Sequence, residues 1–288
     1  MKKKYLFNLL FLLFLASCNS QEKTETKKRH IKSTKQIEYN LVNSLTNYSK
    51  GARISLTGFG QDHIENFDFS GNLTETYSIS NLSSDLKFVL RSRNKYTKTN
   101  QLLSETRYTD RNTIFSVRTC LYDNQNRLEK EEYKVSKNSA GFQSSLQIYI
   151  YDKNPILMTD LTLDSITNKY VINHYELIKK DKNNNVLEII YQDIDEKIYR
   201  EEYHQYDKND NCINSTFVER RFQEEEKSSD ENEYNSYNDI IKSLYKTKKY
   251  QSVTKYQYEY DEYGNWIIKK VIKNDGTGSY FERQISYY

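Results

Sequence analysis

Apolar and polar residues alternate with period two over many short stretches of the chain, as in Ser144-Ser-Leu-Gln-Ile-Tyr-Ile-Tyr151 and Lys255-Tyr-Gln-Tyr-Glu-Tyr260. Such alternation places successive side chains on opposite faces of a strand, and the β-branched and aromatic residues in it suit a pleated surface. Helical spacing is confined to Lys35–Lys50, where Ile37, Leu41, Val42 and Leu45 predict one short helix ahead of the strands. The acidic run Phe222–Glu233 offers nothing to bury, and it predicts a solvated return loop.

The turns between strands repeat. In Tyr260-Asp-Glu-Tyr-Gly-Asn-Trp266 an aromatic residue is followed by Asx, two spacers, Gly or Asn, a polar residue and an apolar one. The same frame begins at Phe67, Tyr96, Tyr122, Tyr151, Lys180, Tyr206, Tyr234 and Tyr260, at intervals of 29, 26, 29, 29, 26, 28 and 26 residues. One residue on stand Asp68, Thr97, Asp123, Asp152, Asp181, Asp207, Asn235 and Asp261. Their side-chain oxygens can bond a backbone N–H two residues ahead and open a turn. Four residues on stand Gly71, Asn100, Asn126, Pro155, Asn184, Asp210, Asn238 and Gly264. Apart from Pro155, whose ring forbids it, these types tolerate the left-handed backbone that closes a turn. Six residues on stand Leu73, Leu102, Leu128, Leu157, Val186, Cys212, Ile240 and Trp266, apolar in every unit. Each unit is a β-hairpin.

A period near 28 leaves roughly eight residues per strand, which predicts an all-β fold of eight consecutive hairpins and about 16 antiparallel strands over residues 51–288. The sheet is either a curved or spiral meander or a wide closed barrel. A membrane porin is disfavoured, because charged residues interrupt nearly every strand. Cys120 and Cys212 fall seven strands apart, on the order of 30 Å at about 4.8 Å per strand, so they are expected to remain separate buried thiols. Trp266, at a position that is apolar in every unit, is expected in the packed core and not as a ligand platform.

The frame resembles the YD repeats of the RHS and teneurin families, most closely at residues 67–73, 122–128, 206–212 and 260–266. The turn residues Asp68, Gly71, Asp123, Asn126, Asp207, Asp210, Asp261 and Gly264 carry the likeness. The resemblance implies hairpins coiled into a shell, and it points to a short YD-repeat lipoprotein of the kind found in Bacteroidota envelopes.

Residues 1–17 combine Lys2, Lys3 and Lys4 with an apolar run too short to span a bilayer, as in a secretory signal. Leu15-Ala16-Ser17-Cys18 resembles a bacterial lipoprotein signal, which predicts lipid on Cys18 and a polar, basic tether over residues 18–50. The expected location is the cell envelope, lipid-anchored at the outer membrane, on either of its faces. Removing residues 1–17 turns a formal charge of +3 into zero, with 40 basic against 40 acidic residues. A nucleic-acid partner is not expected, since it would need a basic face that this balance does not supply. Composition adds that 27 Tyr and 12 Phe carry much of the apolar material, in a chain with one Pro and eight Gly.

Candidate chemistry is sparse. His30, His63, His174 and His204 have no ligand spacing to one another or to a Cys, so no metal or other cofactor is expected. No nucleophile elbow or phosphate-cradling loop occurs, and the turns account for many of the Asp residues. The chain is not read as an enzyme. Frame tyrosines are expected to fill the core, whereas Tyr108, Tyr191, Tyr245, Tyr250 and Tyr287 are freer to be exposed. Two functions follow: a non-catalytic envelope protein whose repeat sheet is a binding scaffold for protein or glycan, or a periplasmic carrier enclosing an apolar or glycan ligand in a barrel. A closed barrel with an apolar lumen would favour the carrier, and a filled core or open sheet the scaffold.

Overall fold

The computed structural model describes residues 29–44, 47–54, 62–80, 87–136, 142–152, 154–221 and 224–288. Among them are 19 antiparallel β-strands and no helix. Residues 1–17, where a signal is expected, and Cys18 lie outside the described residues.

Local chemistry sets the turns. In the first frame the Asp68 N–H donates to the Asn72 carbonyl at 2.9 Å, and the Asp68 carbonyl accepts from Gly71 at 3.0 Å. The Asp68 carboxylate then caps the Asn72 N–H at 2.9 Å. The same bonds recur at Asp123, Asp181, Asp207, Asn235 and Asp261. The closing residue is left-handed in each: φ is +85° at Gly71, +61° at Asn126, +63° at Asp210 and +79° at Gly264. Proline breaks the pattern in the fourth unit, where the Asn154–Pro155 peptide is cis. Left-handed Asn112, Glu196 and Gly276 close comparable turns at the opposite rim, outside the frame.

The frame aromatic has a bond to make. Tyr96 donates its hydroxyl to the Leu73 carbonyl at 2.8 Å, Tyr122 to Leu102 at 2.9 Å, Tyr151 to Leu128 at 3.0 Å, Tyr206 to Val186 at 3.0 Å and Tyr234 to Cys212 at 2.9 Å. Each reaches from one repeat to the sixth-position residue of the repeat before it. Turns are also tied to turns, as in Asn72 to Asn100 at 3.0 Å and Asn211 to Asn238 at 3.0 Å. The repeat is therefore a unit of lateral bonding around one rim.

Closure depends on the N-terminal segment. β1 (Ile31–Ser44) pairs along one edge with β19 (Gly278–Tyr287). Its other edge is shared: β3 (His63–Phe67) takes Ser33 to Gln36, and β2 (Asn47–Arg53) takes Tyr39 to Ser44. β2 and β3 thus act as one broken stave, and the 19 strands close as an 18-stave barrel. At the break the Glu38 N–H donates to Asp62 Oδ1 at 2.6 Å, so a carboxylate replaces the missing ladder partner. Arg53 holds the other oxygen of that buried Asp62, with Nε at 2.9 Å.

Three expectations are corrected here. Residues 31–44 are a strand in the wall, so the tether expected over residues 18–50 does not extend through them, and the helix expected within Lys35–Lys50 does not form, because the edges of β19 and β3 offer this segment a ladder. Glu224–Tyr234 is a strand as well, β15, because its neighbours supply backbone partners and bases such as Lys242 and Lys246 neutralise its acids. Cys120 on β7 (Ile114–Tyr122) and Cys212 on β14 (Cys212–Arg221) are free as expected, but only Cys120 is buried.

Following partners around the wall joins Thr34, Glu65, Thr76, Ser92, Arg107 and Ser116 on one face. That face holds most of the buried polar residues, including Thr34, Gln36, Glu38, Ser92, Ser116, Asp160, Glu202 and Ser215, and it is the inner one. Eighteen staves at about 4.8 Å spacing and a tilt of about 40° give a backbone radius of about 18 Å, wide enough to leave a lumen. Only seven apolar residues are buried among the described residues, so ladders, cross-strand pairs and tyrosine hydroxyls hold the wall where a packed core would otherwise do so. The outer face carries ion pairs such as Lys242–Glu233 at 2.6 Å and Arg220–Glu201 at 2.6 Å, where a lipid-facing wall would be apolar.

Candidate functional site

The inner face of β10 (Ile156–Leu163), β11 (Tyr170–Lys180), β12 (Val186–Gln192) and β13 (Ile198–Tyr206) gathers carboxylates, imidazoles and rings. Strand alternation does this: His174 and Glu176 are two apart on β11, and Arg200, Glu202 and His204 follow at intervals of two on β13. Pairing then sets Glu176 between Met158 and Tyr191, with Arg200 beyond Tyr191.

Glu202 is the hub. It accepts from the Tyr191 hydroxyl at 2.9 Å and lies 2.7 Å from an Arg200 terminal nitrogen and 3.5 Å from His204 Nε2. His204 Nδ1 in turn meets Ser215 Oγ at 2.9 Å. One strand over, His174 Nε2 lies 3.1 Å from Glu176, and its Nδ1 lies 3.6 Å from Asp160. Asp160 also accepts from Gln147 at 3.3 Å and Asn173 at 3.1 Å. Burial holds the Glu176 carboxyl above the usual range despite its bond to His174. Burial likewise pushes the Tyr149 hydroxyl up to about 12 and raises that of Tyr191, to which the bond to Glu202 adds. Both phenols stay protonated and act as donors at neutral pH. No group of three or more His, Cys, Asp or Glu with metal-holding geometry occurs among the described residues.

A second cluster lies on β18 (Trp266–Lys273) and β19. Trp266, expected in a packed core, is half-buried on the lumen wall, because the interior is too wide for opposite walls to meet over it. Lys269 and Arg283 stand over its ring, 5.2 Å and 4.7 Å from the centroid. The wall as a whole therefore offers aromatic faces, donors and acceptors at close range, which suits a ligand with many hydroxyls and suits a hydrocarbon poorly.

The turn residues singled out from the sequence, Asp68, Gly71, Asp123, Asn126, Asp207, Asp210, Asp261 and Gly264, are all brought to one rim, away from these clusters. Their role is structural. Sequence reasoning missed His174, Glu176, Glu202, His204, Lys269 and Arg283, because it sought ligands at helical or loop spacing. The signal was the i, i+2 series Arg200-x-Glu202-x-His204, which on a strand shares one face. Of the tyrosines expected to be freer, Tyr245 and Tyr250 are exposed, whereas Tyr191 and Tyr287 are bonded to Glu202 and Asp261.

No family model matches the chain, and no curated protein matches it. Among solved structures it is similar to a porin-like protein from Bacteroides uniformis, at 9% identity and a TM-score of 0.42, over 89% of this chain and 96% of that one. It is also similar to a chain of the Photorhabdus luminescens Tc holotoxin pore, at 13% identity and a TM-score of 0.29, over 84% of this chain and 15% of that one. A chain of the TcdB2–TccC3–Cdc42 complex matches at 10% identity and a TM-score of 0.17, over 81% of this chain and 18% of that one.

Proposed function

We propose that the protein is a non-catalytic, lipid-anchored envelope protein that holds a glycan in the lumen of its barrel. The observation that carries this reading is the inner wall, closed all round and lined with tyrosines, carboxylates and imidazoles at cross-strand spacing. Rings stack on sugar faces and charged acceptors bind sugar hydroxyls. An apolar ligand would displace water from those polar groups without replacing its hydrogen bonds. Binding without turnover fits the carboxylates, each already committed: Glu202 to Tyr191 and Arg200, Asp160 to Gln147 and Asn173.

Anchoring at Cys18 fits the geometry of the entry segment. Residue 30 leaves the barrel at the rim of the repeat turns, where His30 stacks on Phe69 at 4.6 Å and its carbonyl accepts from the Tyr288 N–H at 3.0 Å. Twelve residues then span at most about 40 Å, which keeps that rim toward an outer-membrane leaflet. Expression of Cys18→Ala is expected to release the chain from the membrane fraction and remove an acyl mass. Binding is tested with that soluble full-length variant on a panel of neutral and acidic oligosaccharides. Saturable binding, weakened at least tenfold by Tyr191→Ala and with the glycan recovered intact, supports the reading; no binding, or cleavage of the glycan, overturns it.

The outer face of β9 (Ser145–Ile150) to β12 favours a second, scaffold reading. Ile150, Leu157, Leu177 and Ile190 align across those four strands, and Ile150 and Ile172 are exposed. A protein partner would bury this patch, and Ile150→Glu with Ile172→Glu is expected to abolish its capture from envelope extracts while sparing glycan binding.

A further inference from the structure

Two cations of the lumen wall make no ion pair among the described residues. Arg107, Arg118 and Arg200 on the same inner face each hold a glutamate. Lys269 and Arg283 do not: among the described residues neither makes a hydrogen bond or an ion pair, and each is engaged by rings alone. The Lys269 ammonium lies 5.2 Å from the Trp266 centroid and 4.7 Å from that of Phe281, and the Arg283 guanidinium lies 4.7 Å from Trp266.

The carboxylates whose fields reach this pair are spoken for. Glu38 accepts from Ser279 at 2.6 Å, Glu65 from Thr34 at 3.3 Å, Asp239 from Tyr260 at 2.8 Å, and Asp261 from Tyr287 and the N–H groups of Tyr263 and Asn265. Burial lowers the pKa of both cations, and the guanidinium lowers that of Lys269 further. The ammonium and the guanidinium thus approach one ring partly out of water, an arrangement that an oxyanion reached by both would stabilise.

We propose that Lys269 and Arg283 bind an oxyanion borne by the luminal ligand, a carboxylate or sulfate on a sugar, beside the Trp266 ring that both approach. The division of labour is chemical: the guanidinium offers a planar fork to two oxygens, and the ammonium offers a compact charge to the third side. The sugar part of this inference rests on the function proposed above; the oxyanion part does not.

Trp266 is the chain's only tryptophan, so its emission reads this site directly. The full-length Cys18→Ala protein is titrated at constant ionic strength with glucuronate, glucose 6-sulfate, inorganic sulfate and uncharged glucose. The expected result is a saturable change in emission with the anions, absent with glucose, whose midpoint moves at least tenfold in Arg283→Gln and Lys269→Met. Should one variant fail to fold, the other carries the comparison. A response to inorganic sulfate alone supports the oxyanion site and removes the sugar reading. Glucose responding as the anions do, silence with all three anions, or unchanged midpoints in the folded variants would overturn the site. Neutral oligosaccharides binding as tightly as acidic ones in the panel above would sink it too, and would leave the glycan function standing.

Discussion

At the scale of single residues, the repeat is a set of small bonds made many times. Changing Tyr122 to Phe removes one hydroxyl from the Leu102 carbonyl and is expected to cost about 1 kcal/mol, read as a lower urea midpoint with unchanged slope. The turn aspartates make a second prediction. Hydrogen bonds from Asn72 and Asn211 hold the carboxyls of Asp68 and Asp207 below the usual carboxylate range, and the turn bonds of Arg127 and Gln125 do the same for Asp123 against some burial. A carboxyl depressed in the folded state contributes stability above its unfolded value, near 3.9, and loses it as pH falls further through the folded value. Thermal midpoints are therefore expected to fall below about pH 4. Asp123→Asn, which keeps the accepting oxygen, should soften that acid limb. An acid limb identical in wild type and the Asn variant would show that the turns are not its source.

Between elements, close approach outweighs conformational strain, and two glycines separate the effects. Gly71 is left-handed with φ +85°, but an added Cβ would meet nothing within 4 Å. Gly278 opens β19, and a Cβ there would come 1.7 Å from the Val271 carbonyl oxygen on β18. Gly71→Ala should thus cost about 1–2 kcal/mol, the left-handed penalty alone. Gly278→Ala should cost more, about 2–4 kcal/mol, because β18 and β19 must part to admit it. Equal melting temperatures for the two variants would refute the distinction.

Taken as a whole, the molecule depends on β1. Without residues 29–44, β19 and β3 would both become open edges, the form that invites pairing between chains. A chain lacking them is expected to elute as large assemblies and to bind dyes specific for exposed apolar surface, where the full chain does not. If the truncated chain keeps the size and melting temperature of the full one, closure is not what holds the wall.

What the sequence determined by itself is whatever its own neighbours decide. Asp, Asn and Gly at fixed offsets impose the turns, and alternation imposes strands, because each acts within a few residues; the all-β fold, the left-handed positions and the exception at Pro155 were legible for that reason. Residues 35–44 and 224–233 do not read as strands in the sequence, because their strand character comes from partners. β1 finds its own in β19, with Glu38 bonded to Ser279 across 241 residues, and the acids of β15 are balanced by lysines on the next strand. Only the tertiary structure could decide closure, the inner face and the lack, among the described residues, of an ion pair at Lys269 and Arg283. Those depend on cross-strand register around all 18 staves, a property of the closed wall that no window of the sequence contains.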